Sequence, residues 1–121
     1  MRPTIVCLCG STRFYDAFQK ANFDETMAGK IVLSVGFYPH SEERQRATWH
    51  RPDSDMMRHG ETVGITSEQK EQLDQLHLFK VAMADEVLIL NVGGYIGEST
   101  ARELAYARKL GKVVRFLEAE Q

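Results

Sequence analysis

The stretch Gly93-Gly94-Tyr95-Ile96-Gly97-Glu98-Ser99-Thr100 holds three glycines, two aliphatic hydroxyls and a carboxylate, and a second carboxylate, Glu103, follows three positions later. An apolar run, Leu88-Ile-Leu-Asn91, precedes it, and an amphipathic segment ending at Gly111 follows. The pattern predicts a buried strand, a glycine turn, a capped helix and a glycine stop. Glycines allow close approach of the backbone to a ligand and positive φ. The helix would aim unpaired N–H groups and its positive dipole end at the turn. An anion site results, best suited to phosphate, with Glu103 beside it in the first helical turn.

A second stretch, Gly10-Ser11-Thr12-Arg13, has matching chemistry. Gly10 turns the chain, the hydroxyls of Ser11 and Thr12 donate to phosphate oxygens, and Arg13 suits a bidentate pair with one. The bland alternative is a helix N-cap followed by a surface arginine. Neither glycine turn is a Walker loop or a Gly-x-Gly-x-x-Gly dinucleotide fingerprint. Glu103 also has two readings. Thr100-Ala-Arg-Glu103 fits a capping box, the commoner use of such a glutamate. Glu98, inside the turn, is the rival carboxylate.

The elements around these residues predict their placement. Thr4–Cys9 is a continuous apolar run, suited to a strand covered on both faces. A helix is predicted from Phe14 to about Ala28, with Gly29 as its stop. Lys30–Val35 reads as the second strand. Thr66-Ser-Glu-Gln69 fits a capping box, opening a helix to about Met83 with Leu73, Leu76, Phe79 and Met83 as its apolar stripe. Glu86–Asn91 and Lys112–Leu117 read as strands, the last an edge. Strand–helix alternation implies an α/β, Rossmann-like (flavodoxin-like) three-layer sandwich, with a parallel sheet of about four to five strands and helices on both faces. Ligands of such sheets bind at the carboxyl ends of the strands. Both turns leave strands at that end, so they are expected to open into one crevice.

At 121 residues the chain predicts a single domain with a long inserted loop at about 36–65, the length of a lid or binding loop. A short helix around Ser41–Thr48 is expected within it. A net charge of −2 argues against a nucleic-acid polymer as partner. No apolar run of about 18 residues suggests a membrane span, and the first residues lack the pattern of a secretory signal, so a cytoplasmic location is expected. Cys7 and Cys9 share one face of a strand, which disfavours a disulfide between them, and buried inert thiols are the favoured reading over a metal pair. His40, His50, His59, Asp53 and Asp55 match no compact ligand spacing, so no metal or cofactor is expected.

Gly10-Ser-Thr-Arg13, Ala84-Asp-Glu-Val-Leu-Ile-Leu-Asn91 and Glu98-Ser-Thr-Ala-Arg-Glu-Leu-Ala-Tyr-Ala107 with Gly111-Lys112 resemble the nucleoside 2-deoxyribosyltransferase-like superfamily, which includes nucleoside monophosphate N-glycosidases. The likeness covers the order of nearly all elements outside 36–65. It implies that Glu103 attacks C1′ of a sugar and displaces the base. It implies that Gly10, Ser11 and Arg13 hold a 5′-phosphate, and that Gly97 and Ser99 are the small residues ahead of the nucleophile. Where the family places an aspartate on the preceding helix, this chain has His77, with Asp74 one turn earlier. His77 is then either a general acid oriented by Asp74, a half-buried structural histidine, or a sign of altered or lost catalysis. Asn91 is expected to face the crevice as a polar contact, and Tyr95 to stack on a base. Gly94, Glu98, Thr12 and Thr100 complete the expected substrate-binding set. The resemblance further implies a small nucleoside or nucleotide as ligand and a homo-oligomer, with Trp49, Met56 and Met57 as apolar contact surface. A non-catalytic nucleotide-binding module is the competing function.

Overall fold

The computed structural model describes residues 1–36 and 66–119. The short helix expected around Ser41–Thr48, the histidines and aspartates of that stretch, and Trp49, Met56 and Met57 lie outside the described residues. In chain order the elements are β1 (Ile5–Cys9), α1 (Tyr15–Met27), β2 (Ile31–Leu33), α2 (Ser67–Met83), β3 (Glu86–Ile89), a 3-10 turn (Val92–Gly94), α3 (Glu98–Lys109) and β4 (Val113–Phe116). The strands form one sheet in the order β2-β1-β3-β4, parallel throughout. The fold is α/β, a small Rossmann-like sandwich.

The apolar run of β1 is buried on both faces, as a central parallel strand requires. Val6 and Leu8 pack with Leu88, Leu90 and the α1 residues Phe18 and Ala21. Cys7 and Cys9 point the other way, into a core with Val87, Ile89, Val81 and Ala84, and with Leu104 and Ala107 of α3. Helix α1 therefore covers one face and α2 with α3 the other. Gly29 and Gly111 end their helices at positive φ, 87° and 74°. Among the described residues no helix is long and apolar enough to cross a membrane.

Helix α2 opens on the expected capping box: Thr66 Oγ1 accepts from the Gln69 N–H, and Gln69 Oε1 accepts from the Thr66 N–H, each at 3.0 Å. Its expected apolar stripe is corrected. Leu76, Phe79 and Met83 are 51%, 67% and 63% exposed, whereas His77, Val81 and Ala84 are buried. The inward face packs Val81 and Ala84 against Cys7, Val87, Ile89 and Leu104, and sets His77 against the Leu8 carbonyl. Strand β2 covers only Ile31–Leu33 of the expected Lys30–Val35, and among the described residues the sheet has four strands, the lower bound.

Candidate functional site

The two chemically loaded turns meet. Arg13 lies over the ring of Tyr95 at 4.6 Å and donates from Nη2 to its hydroxyl at 3.4 Å, and Phe14 meets the same ring edge-on at 5.9 Å. Behind this contact lies a cavity of about 260 Å³, close to the small end of ligand-sized pockets. Gly10, Ser11 and Thr12 form one wall, and Gly97, Glu98, Ser99 and Thr100 another. Helix α2 supplies Lys70, Asp74, His77 and Lys80, and Glu103 also lines the space. The convergence expected from a parallel sheet is therefore present.

The glycines differ in why they are needed. Gly93 and Gly94 adopt positive φ, 62° and 82°. Gly97 has an ordinary extended backbone (φ −78°, ψ 179°), correcting the expectation that all three glycines share the left-handed region. A Cβ there would meet the Tyr95 hydroxyl at 3.0 Å. At Gly10 a Cβ would meet Leu90 Cβ at 3.0 Å, so close packing onto the residue after β3 favours glycine there.

Helix α3 begins at Glu98, with Gly97 as N-cap and no side-chain cap. Its first N–H groups stay available, at a wall of the cavity. The earlier start corrects the capping-box reading of Thr100 and Glu103 and moves Glu103 into the second turn. Thr100, Glu103, Leu104 and Ala107 form the buried stripe of α3. That spacing of three, four and seven was the signal in the sequence: a glutamate on an inward face rather than at a helix end.

Glu103 is 7% exposed, and its Oε1 lies 4.0 Å from His77 Nε2. Burial, opposed by the charge of His77, pushes its carboxyl up to about 7, where it exchanges a proton near neutrality. His77 Nε2 points into the sheet, 3.1 Å from the Leu8 carbonyl oxygen, 3.5 Å from Cys9 Sγ and 3.6 Å from Cys7 Sγ. Burial works against charging His77, but contact with Cys7 and the Glu103 carboxylate outweigh it and raise its pKa. Cys7 is drawn down by the hydrogen bond from Cys9, and Cys9 is pushed up by the same contact and by burial. These thiols are buried in the core, as expected, and they also touch His77, which lines the cavity. They can offer a metal two sulfur ligands beside His77, the three ligand atoms lying within 4.8 Å of one another.

Two expected arrangements are corrected. Asp74 does not orient His77: its carboxylate accepts from Lys70 Nζ at 3.0 and 3.1 Å and faces Arg102 at 3.7 Å. Lys70 also donates to Ser99 Oγ at 3.3 Å, tying α2 to the mouth of α3. Asn91 does not face the crevice. It is buried, donates to the Glu118 carbonyl at 3.0 Å and accepts from the Glu118 N–H at 2.9 Å, which fastens the chain after β4. Gly94 and Arg13 are exposed, Arg13 standing at the rim through Tyr95. Lys70 and Lys80 are the residues that sequence reasoning missed. They sit four and three positions from Asp74 and His77, a helical spacing that places all four on one face. Lys80 donates to the Ser34 carbonyl at 2.6 Å, beside the cavity wall formed by Val35.

Comparison of the chain with protein-family models, with curated proteins and with solved structures finds no match.

Proposed function

We propose that this protein cleaves or transfers the N-glycosidic bond of a nucleoside or nucleoside 5′-monophosphate, with Glu103 as the attacking carboxylate. The observation that carries the reading is that Glu103 and the Gly10–Thr12 turn line one cavity. The resemblance of their motifs to the nucleoside 2-deoxyribosyltransferase-like superfamily supports it. A ligand phosphate between Ser11, Thr12 and the open N–H groups of α3 would hold its sugar against the inward face of that helix. Glu103 then bonds to C1′ as the C1′–N bond breaks, the bonding pair leaves with the base, and the base takes a proton from water. Water or a second base attacks C1′ next and frees the carboxylate. His77 positions Glu103 rather than protonating the base, because its Nε2 is committed to the sheet.

That last observation favours one alternative, a nucleotide-binding module without turnover, because it withdraws His77 as the acid for the leaving base. Incubation with nucleosides and their 5′-monophosphates, read by chromatography of free base, separates the two. Base release abolished by Glu103→Gln is expected. Thermal stabilisation by nucleotides without any release would establish the module instead. Two free buried thiols and a nucleotide ligand fit a cytoplasmic setting. The exposed Leu76, Phe79 and Met83 suit a homo-oligomer contact.

A further inference from the structure

Nε2 of His77 carries at most one hydrogen, yet three electron-rich atoms converge on it: the Leu8 carbonyl oxygen at 3.1 Å and the sulfurs of Cys9 and Cys7 at 3.5 and 3.6 Å. One N–H cannot serve all three well. The two cysteines are two apart on β1, so both sulfurs leave the same face of the strand. The histidine comes down onto them from α2, and the Glu103 carboxylate stands 4.0 Å from the same nitrogen, brought by α3. Three elements thus deliver two thiols, an imidazole and a carboxylate to one point.

A tetrahedral zinc ion with bonds of ~2.3 Å to sulfur and ~2.0–2.1 Å to imidazole nitrogen needs sulfur–nitrogen edges of about 3.6 Å. The edges here are 3.5 and 3.6 Å. We propose that Cys7 Sγ, Cys9 Sγ and His77 Nε2 bind a thiophilic divalent metal, zinc, with the Glu103 carboxylate as fourth ligand. On binding, both sulfurs coordinate as thiolates and Glu103 as a carboxylate, and the protons they carried pass to solvent; the neutral imidazole keeps its one hydrogen on Nδ1, so Nε2 gives up its contact with the Leu8 carbonyl. The donor set suits zinc over magnesium or calcium, which prefer oxygen. Entry is through the cavity, which both His77 and Glu103 line.

Binding does not depend on the glycosidic reading. A consequence does rest on it: metal on Glu103 occupies the group assigned to C1′, so zinc would inhibit base release. Loss of release in metal-free protein counts against the glycosidic reading alone.

The test uses the whole chain, reduced and treated with a chelator, then titrated with Co²⁺ as a spectroscopic stand-in and with Zn²⁺. Intense thiolate-to-cobalt absorption at one equivalent, displaced by Zn²⁺, is expected. Zn²⁺ is also expected to slow alkylation of both thiols by at least tenfold in the wild type. The double variant Cys7→Ser/Cys9→Ser should lose the absorption, and Glu103→Gln should keep it at lower affinity. A wild-type protein that binds Co²⁺ without thiolate absorption, with thiols no better protected by Zn²⁺, overturns the site. That result would assign any bound metal to histidines elsewhere in the chain. The wild-type measurements decide the matter even if the double variant does not fold.

Discussion

Two clusters of ionisable groups are set into this sheet, and they handle charge in opposite ways. Near the amino ends of the strands, Glu25, Lys30, Glu86 and Arg115 form a closed network, two acids against two bases. Lys30 donates to Glu25 at 3.1 Å and to Glu86 at 2.7 Å, while Arg115 donates to both carboxylates. Burial opposes charge on both glutamates, but Arg115 and Lys30 outweigh it and hold them below the ordinary carboxylate range. At the carboxyl ends, Glu103 has no lysine or arginine in salt-bridge contact among the described residues, and burial wins, raising it to about 7. A paired network stabilises a fold, whereas a carboxyl left short of compensation in a cavity marks a site. Asp85 belongs with the first kind: it pairs with Arg2 and accepts from the Ile5 N–H at 2.8 Å, far from the cavity walls.

Substitutions that remove one charge from each cluster test the contrast. The largest effect is expected from Glu103→Gln, which should cut base release by about 10³-fold or more. The same change should not lower the melting temperature of metal-free protein at pH 8, because the ionised carboxylate is disfavoured by its burial. A marked loss of stability would return Glu103 to the structural class. Glu86→Gln should do the reverse. It leaves Lys30 and Arg115 short of a partner and should cost about 1–3 kcal/mol in urea unfolding, with base release unchanged.

Acid sharpens the same comparison. Glu25 and Glu86 have lowered folded values, so their stabilisation is present above the unfolded value near ~4.3 and is lost as pH falls through the folded ones. The stability gap between wild type and Glu86→Gln should therefore be constant at neutral pH and close below about pH 4. A gap that widens in acid would refute this account of the network. The smallest effect is expected at Phe79, exposed on α2 and in neither cluster. Phe79→Asp should change chain stability by no more than ~0.5 kcal/mol. It should shift sedimentation toward monomer if this face joins subunits, and an unchanged sedimentation coefficient would remove the face from the proposed contact.

Much of the frame was legible because it depends on local rules. The apolar run of β1, the Thr66–Gln69 capping box and the glycine stops at Gly29 and Gly111 each act within a few residues. Parallel topology follows from strand–helix alternation, and it brings both turns to one end of the sheet wherever the strands fall in order. Tertiary packing alone decided which stripe of α2 faces inward, since Leu76-Phe79-Met83 and His77-Val81-Ala84 both repeat with helical period. It decided that Asn91 latches Glu118 rather than a ligand, and that the stripe of α3 carrying Glu103 lies against His77. It also set the two sulfurs of β1 under His77. Periodicity tells a chain which residues share a face; only the surface packed against that face determines what those residues meet.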